Sequence, residues 1–365
     1  MANDYFEIDF LAVETAKSGD AITIRYHLDN STKIHVVDGG YADTGESLIN
    51  HINTHYGRPS HIDNVVLTHP DGDHANGLKV LLNSDEFTIG TLRMNRPWLY
   101  AEELLPHFKN YNSVDRLRSK LREIYSHTAE LEELAEAKGI TILETFQGAQ
   151  IGAFTVLAPS GSRYLDLILD SDRTPERVGV EESAFASFFE GAVRTAKAAV
   201  NLVRAAWGQE AFSPNATSRE NEMSIVQYAK LNGERLVLTA DAGRETLAEA
   251  AEYAPWANLF LPGVDRMQVP HHGSRRNVSS EILDTWLGPK LPEQPAVGSG
   301  SFNAFISSAK DDPHHPRKSV IRGFQHRGAN VFATEGSTIS TQSGAPSRPG
   351  WTGITALEYP DEQEE

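Results

Sequence analysis

The stretch THPDGDH, residues 68–74, crowds two imidazoles and two carboxylates into one short loop: His69, Asp71, Asp73 and His74. Mixed nitrogen and oxygen donors of this kind suit a divalent first-row metal ion. Carboxylates so close repel one another without a cation, and no helical packing period calls for the pattern. The plain alternative is an acidic helix cap with incidental histidines, but Pro70 and Gly72 mark a specialised loop. Two later stretches add donors. Asp241 lies in LVLTADAG and the pair His271 and His272 in QVPHHGS, each where an apolar run ends. Singly, an aspartate there is a turn residue and paired histidines are a weak signal. Together the three stretches supply two metal sites from three strand ends, with Asp241 as the bridge.

Such a loop needs a strand to deliver it and a helix to receive it. NVVLT before the cluster reads as a buried strand and LKVLLNS after it as a helix. The cluster therefore sits on a strand-to-helix connection, where sites are commonly built. Upstream, FEIDFLAV, AITIRYH and KIHVVD are short strands separated by the turn clusters SGD and LDNST, as in a meander. GESLINHINTHYG predicts a helix closed by Gly57. Leu117, Leu121, Ile124, Leu131 and Leu134 recur at helical spacing across 113–138, a run that Gly139 ends. ITILETF and FTVLAPS return to a strand pattern, and MSIVQYAKLNGERLVLTADAG predicts a hairpin turning at NGE. KSVIRGFQHRG predicts a helix and ANVFAT a strand. Strands then helix, twice over, predict an α/β fold of two sheets packed face to face with helices outside.

Residues 165–217 look inserted. Phe185, Phe188, Val193, Ala196, Val200 and Val203 predict one amphipathic helix through about Trp207. It packs on the body, covers the site as a lid, or serves as the contact for a second copy or a protein partner. One domain is expected over 1–340, and the turn-rich, acidic 341–365 as a loosely held tail.

Composition sets limits on partners. A formal net charge of −17 repels nucleic acid and anionic lipid at long range, so such a contact needs a local basic patch. The absence of cysteine excludes disulfides, zinc–thiolate sites and thiol nucleophiles, and fits a reducing compartment. The N-terminus lacks the basic start of a signal peptide, and no apolar run reaches the roughly 18 residues a spanning helix needs. A cytoplasmic protein without membrane contact is expected.

The motifs resemble those of the metallo-β-lactamase fold superfamily, and more closely the soluble hydrolase branch related to the ComEC competence proteins. LTHPDGDHANGL (67–78) is similar to that branch's H-x-D-x-D-H motif, where the wider superfamily has H-x-H-x-D-H. VVDGG (36–40) resembles its early aspartate motif and FLAVETAKSGDA (10–21) stands in its opening strand–turn–strand. NEMSIV (221–226) resembles its asparagine–serine strand entry, LTADAG its bridging-aspartate motif and VPHHGS its last histidine motif. HHPRKSVIRGFQHRGANVFAT (314–334) resembles its C-terminal segment. The resemblance covers nearly the whole chain apart from 165–217 and the tail, and implies a metallo-β-lactamase αββα sandwich. It implies His69 and Asp71 as ligands of one metal, Asp73, His74 and His272 as ligands of the other, and Asp241 bridging. Asp38 then orients the metal loop, or is a simple turn residue. The chain departs from the pattern twice. VLAPSG carries no histidine where the superfamily usually has its third motif, leaving the first site to be completed by His271 or water. No channel segment is attached, so a DNA-import role does not carry over.

These readings predict a soluble dimetal phosphodiesterase or nuclease that uses a metal-bridging hydroxide held by two divalent ions, zinc or manganese. Asp73, His271 and His315 are the candidates for catalytic roles, His315 as proton donor to a leaving oxygen or as a phosphate contact. Arg275 and Arg276 follow HHGS, and Arg317 and Lys318 follow HHP; these are candidate clamps for phosphate oxygens. Exposed basic side chains are the plain alternative. A carbonyl substrate such as a lactone or thioester is the competing chemistry, and a non-catalytic partner-binding role the third reading.

Overall fold

The computed structural model describes residues 4–13, 16–178 and 201–365. The opening meander forms as expected. β1 (Tyr5–Phe10), β2 (Ala21–Leu28) and β3 (Ser31–Gly39) pair antiparallel in order, and Asp29 and Asn30, both at positive φ, make the tight β2–β3 turn. Beyond β3 the sheet changes character. β4 (His61–Val66), β5 (Thr88–Arg93) and β6 (Thr141–Leu143) run parallel to it. Parallel neighbours need crossovers, supplied first by α1 (Ala42–His55) and α2 (Gly72–Asn83). The short α3 (Ala101–Leu104), then α4 (Val114–Ile124) and α5 (Ser126–Ala137), fill the last crossover. The apolar spacing across 113–138 is thus served by two helices, broken at the buried Tyr125.

A second sheet starts with β7 (Gln150–Ile151) and β8 (Phe154–Ala158), followed by α6 (Gly161–Asp170). After β9 (Leu202–Arg204) and α7 (Arg219–Glu222), β10 (Val226–Leu231) and β11 (Glu234–Leu238) form the expected hairpin on Asn232 and Gly233. From β11 onward this sheet also turns parallel. α8 (Arg244–Tyr253) leads to β12 (Arg266–Gln268), α9 (Ser280–Leu287) to β13 (Phe302–Ile306), and α10 (Lys318–Gln325) to β14 (Ala329–Ala333). β15 (Ile339–Ser343) returns to the free edge of the first sheet beside β1, and β16 (Glu362–Glu364) pairs with β9.

The two sheets face each other across a layer that includes Phe6, Phe10, Ile24 and Val37 on one side and Phe154, Val156, Leu236 and Phe305 on the other. Phe10 stacks directly on Phe305, with ring centroids 5.1 Å apart. Leu48, Ile52, Leu78, Leu81 and Leu131 cover the outer face of the first sheet, and Leu247, Leu283, Trp286, Val320 and Phe324 that of the second. Strands packed on both faces read as continuous apolar runs, which is why NVVL gave no alternation. This is the αββα sandwich implied by the motifs.

The expected amphipathic helix lies mostly at 179–200, outside the described residues. Its predicted end differs: residues 202–204 are extended, because their backbone pairs with Glu362–Glu364. The tail is also held, contrary to expectation. The guanidinium of the buried Arg322 donates to the carbonyls of Pro360, Ala205 and Ala206 and lies 4.6 Å from the Tyr359 ring centre. Further back, Arg348 grips Glu7 and Asp9 of β1. A buried cation needs acceptors, and the tail supplies them.

Packing also fixes the middle of α2 against the end of β3. A Cβ added to Gly77 would lie 1.8 Å from the Gly39 carbonyl oxygen, while Gly77 N–H donates to the Gly40 carbonyl at 3.0 Å. Gly77→Ala is therefore expected to destabilise the fold by about 3 kcal/mol, the upper part of the overpacking range, measured by urea unfolding. A loss below about 0.5 kcal/mol would contradict so tight an approach.

Candidate metal centre

β4 ends at Val66 and leads through Thr68 to His69 on a loop, Asp71 stands at the N-cap of α2, and Asp73 and His74 occupy its first turn. β11 delivers Asp241 from the opposite sheet, and β12 delivers His271 and His272. All six predicted ligands and His271 converge, with Asp241 in the middle. Its Oδ2 lies 3.8 Å from His69 Nε2 and 3.5 Å from His271 Nε2. Its Oδ1 lies 3.5 Å from His74 Nε2 and 3.7 Å from His272 Nε2. Asp71 Oδ2 stands 3.9 Å from His69 Nε2, and Asp73 Oδ2 3.9 Å from His272 Nε2. The two neighbouring histidines thus face different oxygens of one carboxylate.

The far nitrogen of every ring is tied to an acceptor. His74 Nδ1 donates to Asp38 Oδ2 at 2.8 Å. The Thr68 hydroxyl donates to the same oxygen at 2.6 Å, so it receives the Nδ1 proton of His69 at 3.1 Å. His272 Nδ1 donates to the Ser307 carbonyl at 2.9 Å. Asn277 spends its amide hydrogens on the Asp241 and Ala242 carbonyls, which turns its Oδ1 to His271 Nδ1 at 3.0 Å. With Nδ1 protonated, Nε2 is the atom each ring turns to the centre, and the atom a cation would take. The Nε2 atoms of His69, His74 and His272 and Oδ1 of Asp241 are buried without a hydrogen-bond partner. Native interiors rarely leave four such atoms unmatched around one point, and a bound cation is the group they fit. The expected orienting role of Asp38 is visible here; Thr68, Asn277 and Ser307 went unremarked in the sequence.

Asp20 was also missed. It reaches the centre from the start of β2 with ligand atoms of Asp20, His74, Asp241 and His272 all within 4.8 Å of one another. One oxygen accepts from Gln268 Nε2 at 3.0 Å and the other is buried unpaired. Burial, reinforced by Asp241, pushes its carboxyl up to about 7. Burial opposes charge on His74 too, but the carboxylates of Asp241 and Asp38 hold that ring well above an ordinary imidazole. Burial lowers His69 and His272.

His315 lies at the rim, its ring 5.6 Å from that of His271 and 6.0 Å from that of His272, with Nδ1 3.2 Å from Asp312 Oδ2. Asp312 is itself fixed by Ser18 and by the His314 N–H. Arg275, Arg276 and Arg317 lie near one another, since the first two add to burial in lowering the basicity of Arg317. The tail answers two of the basic candidates. Arg275 Nη1 donates to the Glu365 carbonyl at 2.9 Å, and Lys318 Nζ lies 3.6 Å from Glu362. Glu364 takes the first N–H groups of α10, from Lys318 and Ser319, at 2.9 and 3.0 Å. Arg275 and Lys318 are therefore held by the tail, which composition alone could not show.

No protein-family model and no curated protein matches the chain. Among solved structures, the hydrolase AbOPH of the beta-lactamase superfamily is similar over 66% of this chain and 72% of its own, at TM-score 0.33 and 13% identity. A putative metallo-beta-lactamase from Thermotoga maritima is similar over 65% and 79%, at TM-score 0.31 and 10% identity. A mutant of the CmlA beta-hydroxylase spans 94% of this chain and 54% of its own, at TM-score 0.39 and 9% identity. Likeness at these levels adds nothing to the chemistry, which rests on the side chains. No helix among the described residues is long and apolar enough to cross a membrane.

Two outcomes are expected. Asp38→Asn replaces one of the two accepting oxygens by a donor and removes the charge that sets two tautomers, so calorimetric titration with Mn2+ should show affinity lower by about 10–100-fold while circular dichroism is unchanged. Because His74 is held above its ordinary value, a cation at Nε2 must displace a proton. Uptake should release protons, and affinity should fall as pH falls, by about tenfold per unit for each proton displaced. Affinity independent of pH between 6 and 8 would contradict this.

Proposed function

We propose that the protein is a metal-dependent phosphodiesterase that would use two divalent cations, zinc or manganese, with Asp241 among the donors to both. The convergence of four imidazole Nε2 atoms on the two oxygens of that carboxylate carries this reading. His69, Asp71 and His271 would hold the first ion, His271 standing in for the missing third-motif histidine. Asp73, His74 and His272 would hold the second, with Asp20 close behind. Bound divalent cations supply a nucleophile drawn from water at neutral pH and a Lewis acid for a phosphoryl oxygen.

The chain's own residues divide the remaining work. Asp312 orients His315 through Nδ1, so that Nε2 is the atom that passes a proton to the leaving oxygen. Arg276 and Arg317 face non-bridging phosphate oxygens from the basic cluster. An ester carbonyl would need no such cations, which favours the phosphodiester over a lactone or thioester.

The test combines elemental analysis of bound metal with turnover of bis(4-nitrophenyl) phosphate, single-stranded DNA and a lactone. Phosphodiester hydrolysis that disappears in Asp241→Asn is the expected result, and turnover surviving that change would sink the reading. Lactone turnover alone would move the protein to carbonyl chemistry. His315→Ala should slow DNA hydrolysis about 10²–10⁴-fold and the nitrophenyl ester far less, because nitrophenolate leaves without a proton.

A further inference from the structure

The Asp71 carboxylate divides its two oxygens. Oδ2 faces His69 Nε2, while Oδ1 accepts a hydrogen bond from Arg173 Nη1 at 2.8 Å. Arg173 follows α6, well outside every motif singled out above. Its guanidinium is held from behind, with Nε 3.6 Å from Glu220 Oε2. Glu220 is buried in α7, and its other oxygen receives the Ser171 hydroxyl. Ser171 Oγ in turn accepts the Arg173 N–H at 3.0 Å. A carboxylate so buried needs a cation beside it, and Arg173 is that cation. The next residue of α7, Asn221, touches His271 Nδ1 at 2.9 Å. One short helix therefore lies behind both Arg173 and His271.

Resting on the two-cation reading, we infer that Arg173 is a positioning residue for Asp71: it takes Oδ1 and leaves Oδ2 as a single-oxygen donor beside His69. It also offsets one charge where Asp20, Asp71, Asp73 and Asp241 converge. A histidine at position 71 would need neither service. An aspartate needs both, because a free carboxylate can turn one oxygen, both or neither towards a cation. Lysine is a poor replacement, since its point charge lacks the planar fork that spans Asp71 and Glu220.

The test counts ions. Mn2+ is titrated into the metal-free full chain, with stoichiometry and affinity from calorimetry and ion–ion coupling from electron paramagnetic resonance. The wild type should take up two coupled ions. Arg173→Gln should lose affinity for one of them about 10–100-fold, leave the other unchanged, and replace the coupled signal by that of an isolated ion. Arg173→Lys should fall between, and carries the same readout if the Gln variant does not fold. Glu220→Gln should shift the same affinity in the same direction. A merely structural bridge between α6 and α7 would lower the melting temperature without separating the two affinities. That result, or two ions of unchanged affinity in Arg173→Gln, overturns the role of Arg173. A wild-type chain that binds one ion or none overturns the two-cation reading itself.

Discussion

Asp38 accepts three hydrogen bonds at the end of β3, from the Thr68 N–H, the Thr68 hydroxyl and His74 Nδ1. Through them one buried carboxylate fixes the proton positions of two histidines delivered by a neighbouring strand. The same contacts tie the β4 loop to β3 before any cation arrives. Asp38 can do this because its backbone is left-handed, at φ 57°, which turns the carboxylate back into the loop. Ala240, His271 and His272 adopt the same region, at φ 45°, 47° and 55°. Each such residue costs on the order of 1–3 kcal/mol, so the strain is concentrated where strands must release their chain sharply into the centre.

The topology explains why the donors meet. Each sheet runs antiparallel over one part and parallel over the other, and the change comes at β3–β4 in one and β11–β12 in the other. At such a change the chain leaves adjacent strands in different directions and opens a crevice at their carboxyl ends. Face-to-face packing through Phe10 and Phe305 sets the two crevices opposite one another. His69 and Asp38 come from one sheet, and Asp241, His271 and His272 from the other. Neither sheet holds the centre alone.

The legible part of the site was the part written locally. His69, Asp71, Asp73 and His74 declare themselves because their donors share one loop, and the hairpin at Asn232 and Gly233 because its turn demands positive φ. Asp20 was lost in a turn cluster, since nothing beside it in the chain hints that folding brings it to His74. Arg173 meets Asp71 across 102 positions, and only packing of α6 and α7 creates that pair. The tail misled for a related reason: its acidic, turn-rich composition says nothing of the buried Arg322 that needs its carbonyls. Arg275 and Lys318 stood out as basic residues following the last histidine motifs, but the partners that occupy them arrive from the far end of the chain.

The two halves of the centre differ in the acceptors behind their rings more than in the number of their donors. His74 leans on a carboxylate, and His69 on a hydroxyl that leans on the same carboxylate. His271 and His272 lean on neutral oxygens, from Asn277 and Ser307. A charged acceptor raises the electron-donating power of the opposite nitrogen, so His74 is the strongest imidazole donor of the four. It stands on the side of Asp241 Oδ1 together with His272. The side of Oδ2 has His69, one step removed from that charge, and His271, which has none behind it. There the remaining donor is Asp71, part of whose charge is already shared with Arg173. The carboxylate at position 71 therefore strengthens that half less than its formal charge suggests.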